Sequence, residues 1–217
     1  MQLKPVIGPP WRKVPRYWRL DDRLMPIRRL DTIELVRALL VQPNQYGLDG
    51  CGLNLLMLTL DPASGRYLIG RMFEQSSPVT LEFCENVADE IIAPIFGASR
   101  WWVTKLWANT LSSWQFVEGE LTLNNIPDVF ALPPHTATSA VFAVWRRRLE
   151  QNERNWQRFV NDLEMPPPRA VRREIERQTA EENAAVHAQM QAALASARGR
   201  RRVRDSTINL PSGDTLT

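Results

Sequence analysis

Prolines divide this chain of 217 residues into segments more sharply than any other residue type. Five of its sixteen prolines fall within residues 1–29, and three more are consecutive at Pro166–Pro168. Proline fixes its own φ angle, lacks an amide hydrogen and restricts the residue before it, so it ends helices and interrupts strands. We therefore expect an extended arm at residues 1–29 and a rigid break at Pro166–Pro168.

The predicted arm is both basic and aromatic. Residues 1–30 carry eight basic and two acidic side chains, whereas residues 31–130 carry five basic and twelve acidic ones. Trp11 and Trp18 alternate with Arg12 and Arg16 along the arm. Tryptophan and arginine are enriched at the energetic centres of protein interfaces, and an extended arm has no interior in which to bury them. These four residues are predicted to contact a partner.

A mixed α/β core is predicted at residues 30–132. Asp31 and Glu34 form a capping-box pattern ahead of a short helix. The apolar runs on either side of residues 61–65 flank a loop rich in Asp, Pro and Gly, which predicts a β-hairpin. The remaining predicted elements are a helix from Ser77–Pro78 to Gly97, a tryptophan-rich helix opening at Ser99, and one strand around Leu121 and Leu123.

Two helices and a tail are predicted after the core. Apolar residues at helical spacing define an amphipathic helix at residues 133–165. A long polar helix follows at residues 166–198, and its thin apolar stripe implies that it needs a partner to be stable. Gly199 is predicted to cap this helix, and residues 199–217 to form a second extended tail.

Two further sets of residues are candidates for an interface. Trp101 and Trp102 are adjacent, so one helix cannot direct both toward a single core. One of them must meet a second surface, which is either a partner or another helix of the same domain. Arg200, Arg201 and Arg202 lie in the densest basic cluster. They suit docking to a partner, contact with nucleic-acid phosphates, or simple cation density near a helix end.

The sequence lacks a pattern that is typical of catalysis or of a metal site. His135 and His187 have no cysteine, histidine or carboxylate at ligand spacing. Cys51 and Cys84 are too few for a disulfide framework or a zinc cluster. We therefore expect neither an enzyme nor a protein that uses a cofactor, metal or small-molecule substrate. The most apolar run, Leu53–Leu60, is far shorter than a bilayer span, so a membrane partner is not expected either.

The stretch from Ser99 to Leu163 resembles a module of small tail-associated proteins of tailed bacteriophages. The matching parts are a tryptophan-rich helix (RWWVTKLWANTLSSW), a polar connector (VEGELTLNNIPDVFALPPHTAT) and a helix that opens SAVFAVWRRRLE. The resemblance covers less than a third of the chain. It implies a structural or assembly role in a phage particle and brings no catalytic residues with it.

These patterns predict an α+β protein that is mostly helical, with a small β-hairpin, extended N- and C-terminal arms and a long C-terminal helix. We expect a structural component of a virion (head, neck or tail), made in the host cytoplasm, whose partners are other virion proteins or copies of itself. The alternative is a nucleic-acid-binding protein that uses its arginine-rich termini. Salt dependence distinguishes the two, because phosphate neutralisation makes affinity fall steeply with salt.

Overall fold

The computed structural model describes residues 14–40 and 51–205, with the backbone alone described at residues 51, 169, 170, 173 and 192–205. Within these residues it contains nine α-helices and one two-stranded antiparallel sheet, and it is 73% helical. The prediction of an α+β, mostly helical fold with a small hairpin is confirmed. The outer parts of both predicted arms, residues 1–13 and 206–217, lie outside the described residues.

The elements follow one another in a single run along the chain. The strands and first helices are β1 (Tyr17–Leu20), β2 (Arg23–Pro26), α1 (Thr32–Leu40), α2 (Cys51–Thr59), α3 (Pro62–Phe73) and α4 (Leu81–Phe96). The later helices are α5 (Arg100–Ser112), α6 (Trp114–Leu123), α7 (Pro134–Leu149), α8 (Glu153–Glu164) and α9 (Pro168–Asp205), with a short 3₁₀ turn at Val129–Ala131.

The hairpin lies within the segment that was predicted to be an extended arm. Tyr17 pairs with Pro26 and Leu20 with Arg23. Asp21, in the two-residue turn, has a φ of 51°, in the left-handed region that aspartate tolerates better than most residues. Pro26 is the last residue of β2. Proline is tolerated at such a position of an edge strand because its missing N–H interrupts no further hydrogen bond between the strands.

One face of the hairpin is buried against the helices. Leu20 and Met25 are 5% and 0% exposed, and Trp18 is half-buried with its ring centroid 6.3 Å from that of Phe83. The prediction of an arm without self-burial is therefore wrong for residues 17–27. The alternation of apolar residues along this segment supplies a face that joins the core, and the prolines lie near the strand ends.

The apolar runs on either side of residues 61–65 form the helices α2 and α3 rather than a hairpin. Asp61 accepts hydrogen bonds from the N–H groups of Ala63 and Ser64 at 2.9 and 3.0 Å, and Pro62 is the first residue of α3. An aspartate N-cap followed by proline starts a helix. The protein does contain one small hairpin, but its predicted position is wrong, because a continuous apolar run does not distinguish a buried strand from a buried helix.

The polar segment before the 3₁₀ turn is also helical. The strand predicted around Leu121 and Leu123 is instead the end of α6. Leu121 is 3% exposed and Leu123 is 80% exposed. Residues two apart share a face in a strand but point in nearly opposite directions on a helix, so this burial pattern is helical.

The helices α7 and α8 belong to the same core as α1 to α6. Residues 133–165 were predicted to form one helix, but the chain breaks after Leu149, and Asn152 caps α8 by accepting the N–H of Asn155 at 3.1 Å. Val141 in α7 and Leu163 in α8 are both 0% exposed. The first compact unit accordingly runs to Met165, and the core predicted for residues 30–132 is only part of it.

The second compact unit contains the 38-residue helix α9. This helix continues through Gly199 to Asp205, so the predicted cap at Gly199 and the predicted start of an extended tail there are wrong. A single glycine costs a helix about 1 kcal/mol, and the arginines and alanines around it favour helix. Within the described residues, no helix has the length and apolar character needed to cross a bilayer.

Candidate interaction surfaces

The tryptophan-rich helix α5 contributes to the centre of the core. Trp102 is 2% exposed, and its ring centroid lies 5.2 Å from that of Phe142 in α7. The fully buried Trp107 donates its indole N–H to Thr138 Oγ1 at 3.2 Å. Trp101 is half-buried and packs against the same core. The prediction that Trp102 contacts a partner is therefore wrong, because the second surface met by the pair belongs to other helices of this unit.

A buried ion-pair network joins α2, α4 and α5. Glu85 accepts the Gly52 N–H at 2.6 Å and pairs with Arg100, whose Nε lies 2.6 Å from Asp89 Oδ1. Burial lowers the pKa of Arg100, but the charges of Asp89 and Glu85 outweigh it and raise this pKa overall. Since the buried charges are paired with one another, the network holds three helices together and offers no free reactive group.

Cys84 is not a nucleophile in this environment. Its side chain is 0% exposed, and burial, followed by the charge of Glu85, raises the pKa of its thiol to about 11. Because the thiolate is the reactive form, Cys84 acts as a small apolar core residue at neutral pH. Among the described residues, no three His, Cys, Asp or Glu side chains come together as metal ligands.

A cleft of about 1310 Å³ opens where the hairpin meets the helices of the first unit. Its walls are formed by residues 14–17 before and at the start of β1, by residues 27–30 after β2, and by Pro133–His135 at the start of α7. The half-buried side chains of Ile27 and Leu30 contribute apolar surface, whereas the lining side chains of Leu35 and Ile95 are buried. The cleft thus has an apolar interior, although many of its rim residues are polar or charged.

Backbone hydrogen bonds hold the hairpin side of the cleft in place. The Ile27 N–H donates to the Arg16 carbonyl at 2.8 Å, and the Arg28 N–H donates to the Thr59 carbonyl at 2.7 Å. Ile27 also forms an isolated antiparallel bridge with Leu60 at the end of α2. The two wall segments are therefore fixed both to each other and to the helical core.

The walls of the cleft are positively charged. Arg16, Arg28 and Arg29 line it and are exposed, and none of the described lining residues is acidic. Within the described part of the chain, none of these three arginines forms an ion pair. Guanidinium groups bind planar anions such as carboxylate and phosphate through paired hydrogen bonds. The cleft therefore presents three positive charges that are available to a ligand.

The helix α7 begins at this cleft and adds to its positive potential. Pro133 cannot cap the helix with its side chain, and Pro134 at the first position has no amide hydrogen. The Ala137 N–H donates to the Pro133 carbonyl at 2.9 Å. The N–H groups of His135 and Thr136 therefore lie in the first turn, where the helix dipole is positive and amides lack intrahelical acceptors.

A second surface is the exposed apolar row of α9. Every side chain that the structure describes in α9 is exposed. Val171, Ile175, Val186 and Met190 are 43–62% exposed. At about 100° per residue, their spacing keeps all four within about 100° of the helix circumference. Ion pairs from Arg177 to Glu174 and Glu181, each at 2.7 Å, stabilise the helix from within itself.

The structure separates residues that were predicted to act together. Arg16 lies at the cleft, whereas Trp18 lies beneath the hairpin. Trp11 and Arg12 lie outside the described residues. The backbone of Arg200–Arg202 is part of α9, but the structure does not describe their side chains.

Sequence reasoning missed most of the cleft. Arg28 and Arg29 were counted in the charge of the arm but not recognised as site residues, and His135 was considered only as a catalytic or metal-binding candidate. The adjacent arginines just after β2 were a usable signal. No sequence signal indicated that Pro133–His135 would form a wall of the same cleft, because these residues lie about a hundred positions away from the arginines.

Comparisons of the chain with protein-family models, with curated proteins and with solved structures found no match. The resemblance of residues 99–163 to phage tail-associated proteins therefore stays a prediction.

Proposed function

We propose that this chain is a structural or assembly component of a tailed bacteriophage particle, in which α9 docks onto neighbouring subunits. The neighbours are other virion proteins or copies of the same chain, and the protein is made in the host cytoplasm. The role needs no catalytic residue, cofactor or metal.

The observation that supports this proposal is the exposed apolar row of α9. Most helices in proteins owe their stability to the packing of an apolar face rather than to intrinsic propensity. In α9 such a face is present but unburied, with Val186 and Met190 62% and 61% exposed. A row of aligned apolar residues on an otherwise polar helix is typical of a helix that docks into a groove or against another helix.

The resemblance to tail-associated proteins points to the type of assembly. It covers residues 99–163, which correspond to the helices α5 to α8 of the first unit. In this reading the first unit is a folded body and α9 is the element that joins it to the particle.

The proposal is tested by disrupting the apolar row in a phage that encodes the chain. Val186→Ser with Met190→Ser removes two aligned apolar side chains. We expect the variant to be largely absent from purified particles, as measured by mass spectrometry relative to the other virion proteins. Ala184→Ser with Ala188→Ser is a matched control at the same spacing on the opposite side of the helix, and it should be incorporated as the wild type is.

Two results would contradict the proposal. The first is absence of the wild-type chain from the particles, and the second is normal incorporation of the Val186/Met190 variant. The circular dichroism of each variant at 222 nm shows whether helix content has changed.

A further inference from the structure

We propose that the cleft beside the hairpin binds an acidic, extended peptide segment of a partner protein. This ligand is distinct from any neighbour that docks on α9, and its binding is independent of the role proposed for that helix. The site combines Arg16, Arg28 and Arg29 with the positive end of α7.

Charge complementarity argues for an anionic ligand. Three exposed guanidinium groups line one cleft, and the described lining residues contain no acid. Such clustering is costly in the absence of a ligand because like charges repel, and it is relieved when carboxylates form paired hydrogen bonds with arginine. The amide groups in the first turn of α7 favour the same sign of ligand charge.

The apolar part of the lining argues for a peptide. Ile27 and Leu30 line the cleft and are half-buried, so they present apolar surface to a ligand, whereas the lining residues Leu35 and Ile95 are only 2% and 8% exposed and add little. Between the arginines, these surfaces suit the apolar side chains of a partner segment. Tyr17, which is 62% exposed, is the one Phe, Tyr or Trp residue among the described lining residues, whereas grooves for single-stranded nucleic acid use several such platforms.

The composition of the chain argues that the ligand comes from another protein. Residues 1–13 carry three basic and no acidic side chains, the same sign as the cleft, and residues 41–50 and 206–217 carry a single acid each. None of these three segments has the negative charge that would match the three arginines. An acidic segment of a partner protein does.

Fluorescence anisotropy with a labelled peptide of alternating glutamate and leucine tests the proposal on the full chain. We expect saturable binding that a peptide of alternating glutamine and leucine does not show. Arg28→Glu with Arg29→Glu should weaken binding by more than about tenfold, because each charge-assisted hydrogen bond is worth at least a factor of that order. Arg19→Glu with Arg66→Glu makes the same charge change at exposed positions outside the cleft and should retain most of the affinity.

Three outcomes would overturn the proposal. One is a lack of binding to the glutamate–leucine peptide, and another is an equal loss in both double variants, which would indicate general electrostatic attraction. The third is tighter binding of labelled oligo(dT) that is lost through Arg28 and Arg29, which would make the cleft a nucleic-acid site. Thermal melts of all variants verify that each one is folded.

Discussion

At the scale of single residues, buried polar contacts hold neighbouring helices of the interior together. Glu85 is 3% exposed; it accepts a hydrogen bond from the Gly52 N–H and forms an ion pair with the Arg100 guanidinium. A Cβ atom at Gly52 would lie 2.6 Å from the Glu85 Cα atom, so α2 and α4 approach closely only because a glycine is there. The network and the glycine therefore act together in fixing the contact between these helices.

Glu85→Ala should lower the free energy of unfolding by about 3 kcal/mol. The substitution leaves the buried Arg100 charge without one of its carboxylate partners and leaves the Gly52 N–H without its acceptor, and breaking a buried pair on one side typically costs 3–5 kcal/mol. Urea unfolding followed by tryptophan fluorescence measures the change. Glu82→Ala, at an exposed position one turn earlier on α4, is the control and should alter stability by less than about 0.5 kcal/mol. Equal effects of the two substitutions would show that the network is not a stabilising feature.

At the scale of elements, signals at helix ends located some boundaries and misplaced others. The helix expected to open at Ser77–Pro78 begins at Leu81 with Thr80 as its cap, and the cap expected at Gly199 lies inside α9. Gly97, with a φ of 80°, ends α4 at the predicted position, and Asp31 lies one residue before α1 as predicted. Sequence reasoning failed where only hydrophobicity was available, as in α2, whose apolar run fits a strand equally well. The cleft could not be predicted because its walls come from residues far apart in the chain, which only tertiary packing brings together.

The end of α9 bears on the alternative function, nucleic-acid binding through the arginine-rich termini. Because the backbone of Arg200, Arg201 and Arg202 is helical, these residues are presented on a regular element rather than on an extended tail. If they contact phosphates, replacing all three with alanine should flatten the dependence of log Kd for DNA or RNA on log salt, by about 0.7 to 0.9 per lost phosphate contact. Filter binding over a salt series measures the slope.

Arg37, Arg66 and Arg154 provide the matched control for this slope. They are exposed residues of the first unit, and their replacement removes the same charge. The alternative is rejected if the wild-type chain binds neither DNA nor RNA at low salt, or if both triple variants show the same slope.

At the scale of the whole molecule, the chain divides at Met165 into two units, and each has a different source of stability. The first unit has a continuous apolar core, whose described members run from Leu20 to Leu163. The second unit contains α9, whose described side chains are all exposed. The division follows the prolines at 166–168, which prevent α8 from continuing into α9.

A chain that ends at Met165 should therefore fold on its own. All eight tryptophans precede residue 166, so their fluorescence reports on the first unit in both the full and the shortened chain. We expect the shortened chain to unfold in one cooperative transition with a melting temperature within a few degrees of that of the full chain, because every described residue of the core cluster is retained.

A second truncation, after Leu132, tests whether the domain ends at Met165, as in the structure, or at residue 132, as expected from the sequence. It removes Val141, Val144, Trp145 and Leu163, which are at most 9% exposed in the folded chain. Each large apolar side chain lost from a core typically costs 2–5 kcal/mol, so the loss of four costs about 8–20 kcal/mol, which is as large as the 5–15 kcal/mol that stabilises a typical domain. The Leu132 truncation should lack a cooperative melting transition, and its tryptophan emission should lie at longer wavelength because Trp102 and Trp107 lose their cover from α7. A folded Leu132 fragment with native-like emission would place the boundary at the end of the 3₁₀ turn and would make α7 and α8 an appendage, like α9, rather than part of the core.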